Sequence, residues 1–192
     1  MSTASLRRDH DLIEKVVISM KTTIQMLQSG KTIPESIMAQ VIDFSKNFTD
    51  VCHHGKEECS LFPALEKAGM PTNMGPIAMM LQDHEKSRQI AAQMETANQK
   101  YLNEGDSTDL ITSMQQYVVH ITEHLWKENN RLFMMAEARL QGVAQKVNSE
   151  LEEIEDSKLK ETGKDRTYYE NIVKNLSEHA ATNSEISADW ED

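Results

Sequence analysis

His53-His54-Gly55-Lys56-Glu57-Glu58-Cys59-Ser60-Leu61-Phe62 and His124-Leu125-Trp126-Lys127-Glu128-Asn129-Asn130-Arg131-Leu132-Phe133 read as one phrase written twice, H-x-x-K-E-x-x-x-L-F. A histidine and a glutamate four residues apart stack on one face of a helix, so each phrase aims an imidazole and a carboxylate at one place. Outward from the first phrase, Ile37, Val41, Phe44, Phe48 and Val51 carry an apolar stripe back to Pro34, which opens the helix. That helix is expected to reach about Lys67, before Gly69 and Pro71, with Pro63 kinking or ending it. Around the second phrase, a helix is expected from Thr108, read as the N-cap, to Gln145.

Two further stripes complete the pattern. Leu6, Ile13, Val17, Met20, Ile24 and Leu27 predict a helix over 5–28, stopped by Gly30, and Ile77 and Met80 belong to one over 74–102. With only 4 Pro and 7 Gly in 192 residues, little punctuates these runs. The expected fold is all-α, an up-down-up-down four-helix bundle over residues 1–146. From Val147 to Asp192 the chain has 13 acidic and 5 basic residues, so 147–192 reads as a separate acidic extension. Its two weaker stripes, Val147-Leu151-Ile154 and Tyr169-Ile172-Val173-Leu176, predict helices packed on the bundle or on a partner, a disordered tail being the alternative.

His10 stands in the first stripe between Leu6 and Ile13, and His84 follows Ile77 and Met80 in the third. Either alone would read as a hydrogen-bonded core histidine. Together with the two phrases, all four helices supply four imidazoles and two carboxylates to one interior. Six unpaired ionisable groups there would be very costly, whereas a pair of first-row transition ions would use them all. The spacing is neither that of a zinc finger nor HExxH, and no Ser/His/Asp or Cys/His arrangement is tied to a motif. An ideal wheel through Ile37, Phe44 and Val51 favours His54 and Glu58, while the repeat favours His53 and Glu57; we follow the repeat and keep His54 and Glu58 as second choices. His120, one turn before His124, reads as a rim group, and His179 as a solvated one.

A net charge of −11 argues against nucleic acid as a partner. No apolar run approaches the ~18 residues of a membrane span, and the first residues lack a secretory apolar core. Two cysteines, Cys52 and Cys59, make no disulfide framework, so a reducing cytoplasm is the expected setting.

The segments LRRDHDLIE, CHHGKEECSLFPALEKAGMP, MGPIAMMLQDHEKSR and HLWKENNRLFMMAE together resemble the hemerythrin-like, HHE cation-binding family over about residues 4–140. The resemblance implies a non-haem di-iron, Fe-O-Fe centre held by His10, His53, Glu57, His84, His124 and Glu128, with both glutamates bridging. MGPI, LFP and ENN-x-LF also resemble the di-iron domain of iron-sulfur-cluster repair proteins, whose cysteine-bearing N-terminal domain has no counterpart in this sequence. A fifth histidine found in those families has no obvious match: where oxygen carriers have H-x-x-x-H in the third helix, Arg88 takes the second place.

Six such ligands and a bridging oxygen would give each iron five ligands and leave both with an open position, unless His54, Glu58, His120 or Tyr117 closes one. That implies reaction with, or binding of, a small oxidant (O2, peroxide or nitric oxide), with an external electron donor for turnover. An O2, NO or iron sensor, or an iron store or donor, is the alternative. Met79, Met80, Met94 and Met114, Trp126 and Tyr117 are expected as core packing, and Cys52 and Cys59 as inert buried thiols.

Overall fold

The repeated phrases do form helices, and the computed structural model, which describes residues 1–184, sets them in a bundle. Its rods are α1 (Ala4–Gln28), α2 (residues 35–67), α3 (Gly75–Glu104), α4 (residues 108–139), α5 (Ala144–Thr162) and α6 (Arg166–Ser184). No strand occurs among the described residues. Helices α1 to α4 are the bundle, each packed on its neighbours. The functional layer lies between two apolar plugs. Leu6, Leu61, Phe62, Met80, Leu132 and Phe133 help to fill one, and Ile13, Phe48, Cys52, Met94, Met114 and Ile121 the other. Each fully buried Leu, Phe or Met contributes about 1.5–3 kcal/mol, so the polar layer is held by what lies above and below it.

Residues 144–184 are helical and packed. Helix α5 lies against α2, and α6 lies along α1, so the pair covers the α1/α2 groove. Val147 and Leu151 join the first plug; Tyr169, Ile172, Val173 and Leu176 join the second. Gly163, at φ 70°, ends α5 in a left-handed turn, after which α6 runs on along α1. The last eight residues of the acidic extension lie outside the described residues.

Three local expectations change. Helix α4 ends at Arg139, not Gln145: Leu140 leaves helical geometry, and a single 3₁₀ turn over Gln141–Val143 leads into α5. Thr108 is the first helical residue, its N–H donating to Asp106 Oδ1 at 3.0 Å, so it is not the cap. Pro63 does not end α2. It falls in the first turn of Phe62–Lys67, directly after a π-helical stretch, and the rod runs on to Lys67. No helix among the described residues is long and apolar enough to cross a membrane.

The π winding has a pattern. It covers Phe44–His54 and then Glu57–Leu61 in α2, and Glu128–Leu132 in α4. In both copies of the phrase a π turn begins at the glutamate and ends at the leucine. Such turns occur frequently at functional sites, and they shift the angular phase of everything after them.

Candidate metal centre

Seven side chains meet in the layer. Glu128 Oε2 lies 3.1 Å from His10 Nε2 and 3.8 Å from His53 Nε2, while its Oε1 lies 3.3 Å from His124 Nε2 and 4.0 Å from His84 Nε2. Glu57 Oε2 lies 3.2 Å from His84 Nε2 and 4.0 Å from His53 Nε2. Both carboxylates thus stand between two groups of imidazoles. The seventh member is His54. Its ring stacks on His84 at 3.9 Å, and one of its ring nitrogens comes within 4.8 Å of donor atoms of both His84 and His124. Donor atoms gather in three overlapping sets: His10, His53, Glu128; Glu57, His84, His124, Glu128; and His54, His84, His124.

The two phrases build the site by the same rule. His53 Nδ1 faces Asp9 Oδ2 at 3.3 Å, and His124 Nδ1 faces Asp83 Oδ2 at 3.6 Å. Asp9 and Asp83 each precede the inward histidine of the neighbouring helix. The lysine of each phrase holds that same aspartate, Lys56 with Asp9 and Lys127 with Asp83 at 2.8 Å. The residue after each glutamate reaches back: Glu58 Oε1 accepts from His84 Nδ1 at 2.7 Å, and Asn129 Oδ1 from His10 Nδ1 at 3.0 Å. The closing phenylalanines also match, Phe133 stacking on His10 and Phe62 on His84.

His54 breaks this symmetry, because Leu125 fills its place in the other phrase. Its Nδ1 faces Asp50 Oδ1 at 3.2 Å. Arg88 donates to Asp50 Oδ1 and to Glu58 Oε1, both at 2.8 Å. The residue that stands where oxygen carriers have a histidine therefore braces the acceptors behind His54 and His84, and the fifth imidazole of the layer comes from α2.

Four of the five Nδ1 atoms lie within 3.3 Å of an oxygen acceptor and that of His124 faces Asp83 at 3.6 Å, an orientation that turns Nε2 of each ring to the layer. These five Nε2 atoms and the four oxygens of Glu57 and Glu128 are buried without a hydrogen-bond partner. Leaving a buried polar atom unsatisfied costs about 1–3 kcal/mol. Nine of them would rival the ~5–15 kcal/mol total stability of an ordinary domain, so the donor set fits bound metal cations. Protons compete for the same atoms. Burial opposes charge on His53, yet Asp9, Glu128 and Glu57 hold its pKa up at about 9. Against the same opposition, Glu128, Glu57 and Glu58 hold His84 up at about 11. Burial and the neighbouring His84 and His124 push His54 well below its ordinary value. Cations entering the layer would release protons from it.

The structure brings together His10, His53, Glu57, His84, His124 and Glu128, and adds His54. Glu58 braces His84 from outside the donor sets, with its carboxyl at about 2, held down first by the His84 hydrogen bond. His120 donates Nε2 to the Asp83 carbonyl at 2.8 Å and joins none of the sets. Tyr117 is buried in the apolar plug, not in the layer. His179 is half-buried rather than solvated. Met80, Met94 and Met114 are core, but Met79 is exposed, and Trp126 is 54 % exposed because it sits two residues from both His124 and Glu128, on the opposite face. Cys52 is buried; Cys59 is exposed, the π winding between them having turned it outward.

Sequence reasoning missed Asp9, Asp83, Lys56 and Lys127 as a set. The signal was present as Asp-His dipeptides in α1 and α3 and as the shared lysine of the phrase. Glu155 and Arg166, which extend the Asp9–Lys56 pair, carried no local signal.

Neither the curated proteins nor the solved structures compared with the chain gave a significant match. The family model of the hemerythrin HHE cation-binding domain matches residues 1–136. With the motif order, the bundle and the convergent donors in agreement, the chain belongs to the hemerythrin HHE family, and α5 and α6 lie beyond the part that the family describes.

Proposed function

We propose that the layer holds two iron ions and that the protein binds or reacts with small oxidants there. The ligands are His10, His53, Glu57, His84, His124 and Glu128, as the sequence led us to expect, joined by His54. His10 and His53 would serve one ion and His54, His84 and His124 the other, with Glu57 and Glu128 available to both. The observation that carries this reading is the convergence of nine unpartnered donor atoms in a buried layer. Three imidazoles would serve one side and two the other, so His10 and His53 would leave more room for a small ligand than His54, His84 and His124. Iron bound there would supply a redox-active Lewis acid able to take O2, nitric oxide or peroxide.

The chain's own residues keep that chemistry confined. Asp9, Asp50, Glu58, Asp83 and Asn129 fix the ring orientations, and Phe62 and Phe133 wall the layer against water. Turnover draws on an external electron donor, while binding alone would serve O2, NO or iron sensing, or iron storage. A cytoplasmic setting suits two free thiols, one of them exposed.

The test is anaerobic reconstitution with Fe(II), metal analysis, and mixing of the reduced protein with O2, peroxide or NO in a stopped-flow spectrometer. Two irons per chain, lost together in Glu57→Ala/Glu128→Ala, are expected. One colourless zinc, or iron content untouched in the double variant, would reject the reading; a long-lived reversible O2 complex would select binding over turnover.

A further inference from the structure

Behind His53 the matching rule of the two phrases stops holding. In the α3/α4 half, Asp83 is held by Lys127 at the surface, their side chains 15 % and 28 % exposed. In the α1/α2 half, Asp9 and Lys56 are wholly buried, and two more charged groups arrive from beyond the family domain. Arg166 Nη1, from the start of α6, donates to Asp9 Oδ1 at 2.9 Å and to Glu155 Oε1 of α5 at 2.8 Å. Glu155 Oε2 in turn accepts from Lys56 Nζ at 2.6 Å, and Ser5 Oγ lies 2.9 Å from the same ammonium. The guanidinium is also seated over the Phe48 ring. Two cations and two anions therefore close a neutral quartet, which the His53 Nδ1–H meets at Asp9.

The geometry points to a part for the extension in the metal centre: through Arg166 and Glu155, α5 and α6 fix the Asp9 carboxylate, and through Asp9 they fix the His53 ring and the ion it shares with His10. Asp9 Oδ2 is divided between Lys56 and His53, so one oxygen alone would leave the carboxylate free to turn toward the lysine. The Arg166 contact on Oδ1 pins the other corner. That sets the carboxylate plane, hence where Nδ1–H finds its acceptor and which way Nε2 points. Arg166 and Glu155 are positioning residues, acting on one ion of the pair and not on the other.

This inference rests on the two-iron reading above, and one experiment separates their fates. Wild type, Arg166→Gln, Arg166→Lys and, as a control on the exposed face of α6, Lys174→Gln are loaded with Fe(II) without oxygen. Iron release to a chelator, Mössbauer spectra and thermal melting are then recorded. In Arg166→Gln we expect one iron per chain to leave about 10–100-fold faster, the usual size of such outer contacts, with one of two quadrupole doublets altered and the second iron unchanged. Arg166→Lys, which restores the charge but on a shorter, freely rotating ammonium in place of the planar guanidinium whose Nη1 makes both contacts, should fall between; it also carries the test should the glutamine variant not fold. Wild-type release from Arg166→Gln, or from Arg166→Lys where that variant stands in for it, would overturn the inference. So would equal acceleration of both irons in step with a lower melting temperature, which is what plain loosening of the helix would give. A wild type that fails to hold two irons would instead sink the reading of the centre itself, and this inference with it.

Discussion

The half of the layer around His53 and the half around His124 are written with the same letters and finished differently. Around His124 the aspartate and lysine sit at the protein surface, where water shares the work of solvating them. Around His53 the same pair is sealed under α5 and α6, and the charges of Asp9 and Lys56 must be answered by protein, through Glu155 and an Arg166 that itself reaches solvent. The comparison teaches that a ligand's outer support has two physical solutions, a solvated pair or a closed quartet. The second is open only to a chain that supplies extra helices. It also gives the extension a reason to carry charge at its inner face: Glu155 and Arg166 are needed where Lys56 and Asp9 cannot reach water.

The largest way to break the comparison is to neutralise the two aspartates in turn. Asp9→Asn would leave Lys56 and Arg166 in the interior without their shared counter-charge. Losing one partner of such a buried pair costs about 3–5 kcal/mol. Asp83→Asn removes a half-solvated partner and should cost about 1 kcal/mol or less. Urea unfolding of the metal-free proteins measures both; equal costs would mean that the sealed and solvated halves are energetically alike. Charge supports the contrast. Burial opposes ionisation of Asp9, but Lys56 and His53 hold its carboxyl well below the usual range, whereas the weaker pull of His124 and Lys127 leaves Asp83 at about 2.

A smaller effect, read kinetically, comes from the two thiols. Cys52 is buried next to the quartet, and burial pushes its pKa up to about 12, so almost no thiolate forms at neutral pH and nothing can reach it. Cys59, on the outside of α2, is exposed. Aromatic disulfide reagents should therefore label one thiol per native chain quickly and the second only as the α5/α6 cover opens. Prompt labelling of both would show that the cover is loose in solution. In Arg166→Gln, faster Cys52 labelling would report the opening of the quartet directly.

How much of this was readable from the residues depended on whether the contact repeats along one helix. His10, His84 and the His-Glu pairs were legible because an i, i+4 spacing and an apolar stripe fix their faces before any partner is known. His54 was half legible: the wheel through Ile37, Phe44 and Val51 pointed to it, but the repeat admits one histidine per phrase and set it second, whereas the structure brings both His53 and His54 to the layer. Cys59 was expected to be buried like Cys52, but the π winding of Phe44–His54 and Glu57–Leu61 turns it outward. Trp126 was a plain misreading, because two residues from His124 is the opposite face of any helix. Arg166 and Asp9 lie 157 positions apart and meet only once two helices fold back across the bundle. No periodicity within either segment encodes that meeting.

The smallest expected effect concerns the column of the repeat where the halves differ most in size. Gly55 in the sealed half stands where the solvated half has Trp126. Helix α5 explains the glycine: a Cβ at position 55 would come within 3.3 Å of Lys158 Cε and 3.4 Å of its Cδ, so α5 passes where any larger side chain would stand. The backbone itself makes no demand, with φ −59° and ψ −39°, both helical. Alanine should then gain about 0.5–1 kcal/mol from chain entropy. Part of that gain is lost in moving the Lys158 stem, whose ammonium is tied to Glu161 at 3.0 Å only at the surface. Gly55→Ala should consequently melt within a few degrees of wild type and keep both irons. Trp126→Ala, which removes an exposed ring stacked near Arg131, should do the same. A large loss in Gly55→Ala alone would mean that α5 is packed on α2 too tightly for one lysine to yield, and the seal over Asp9 would then be rigid rather than merely closed.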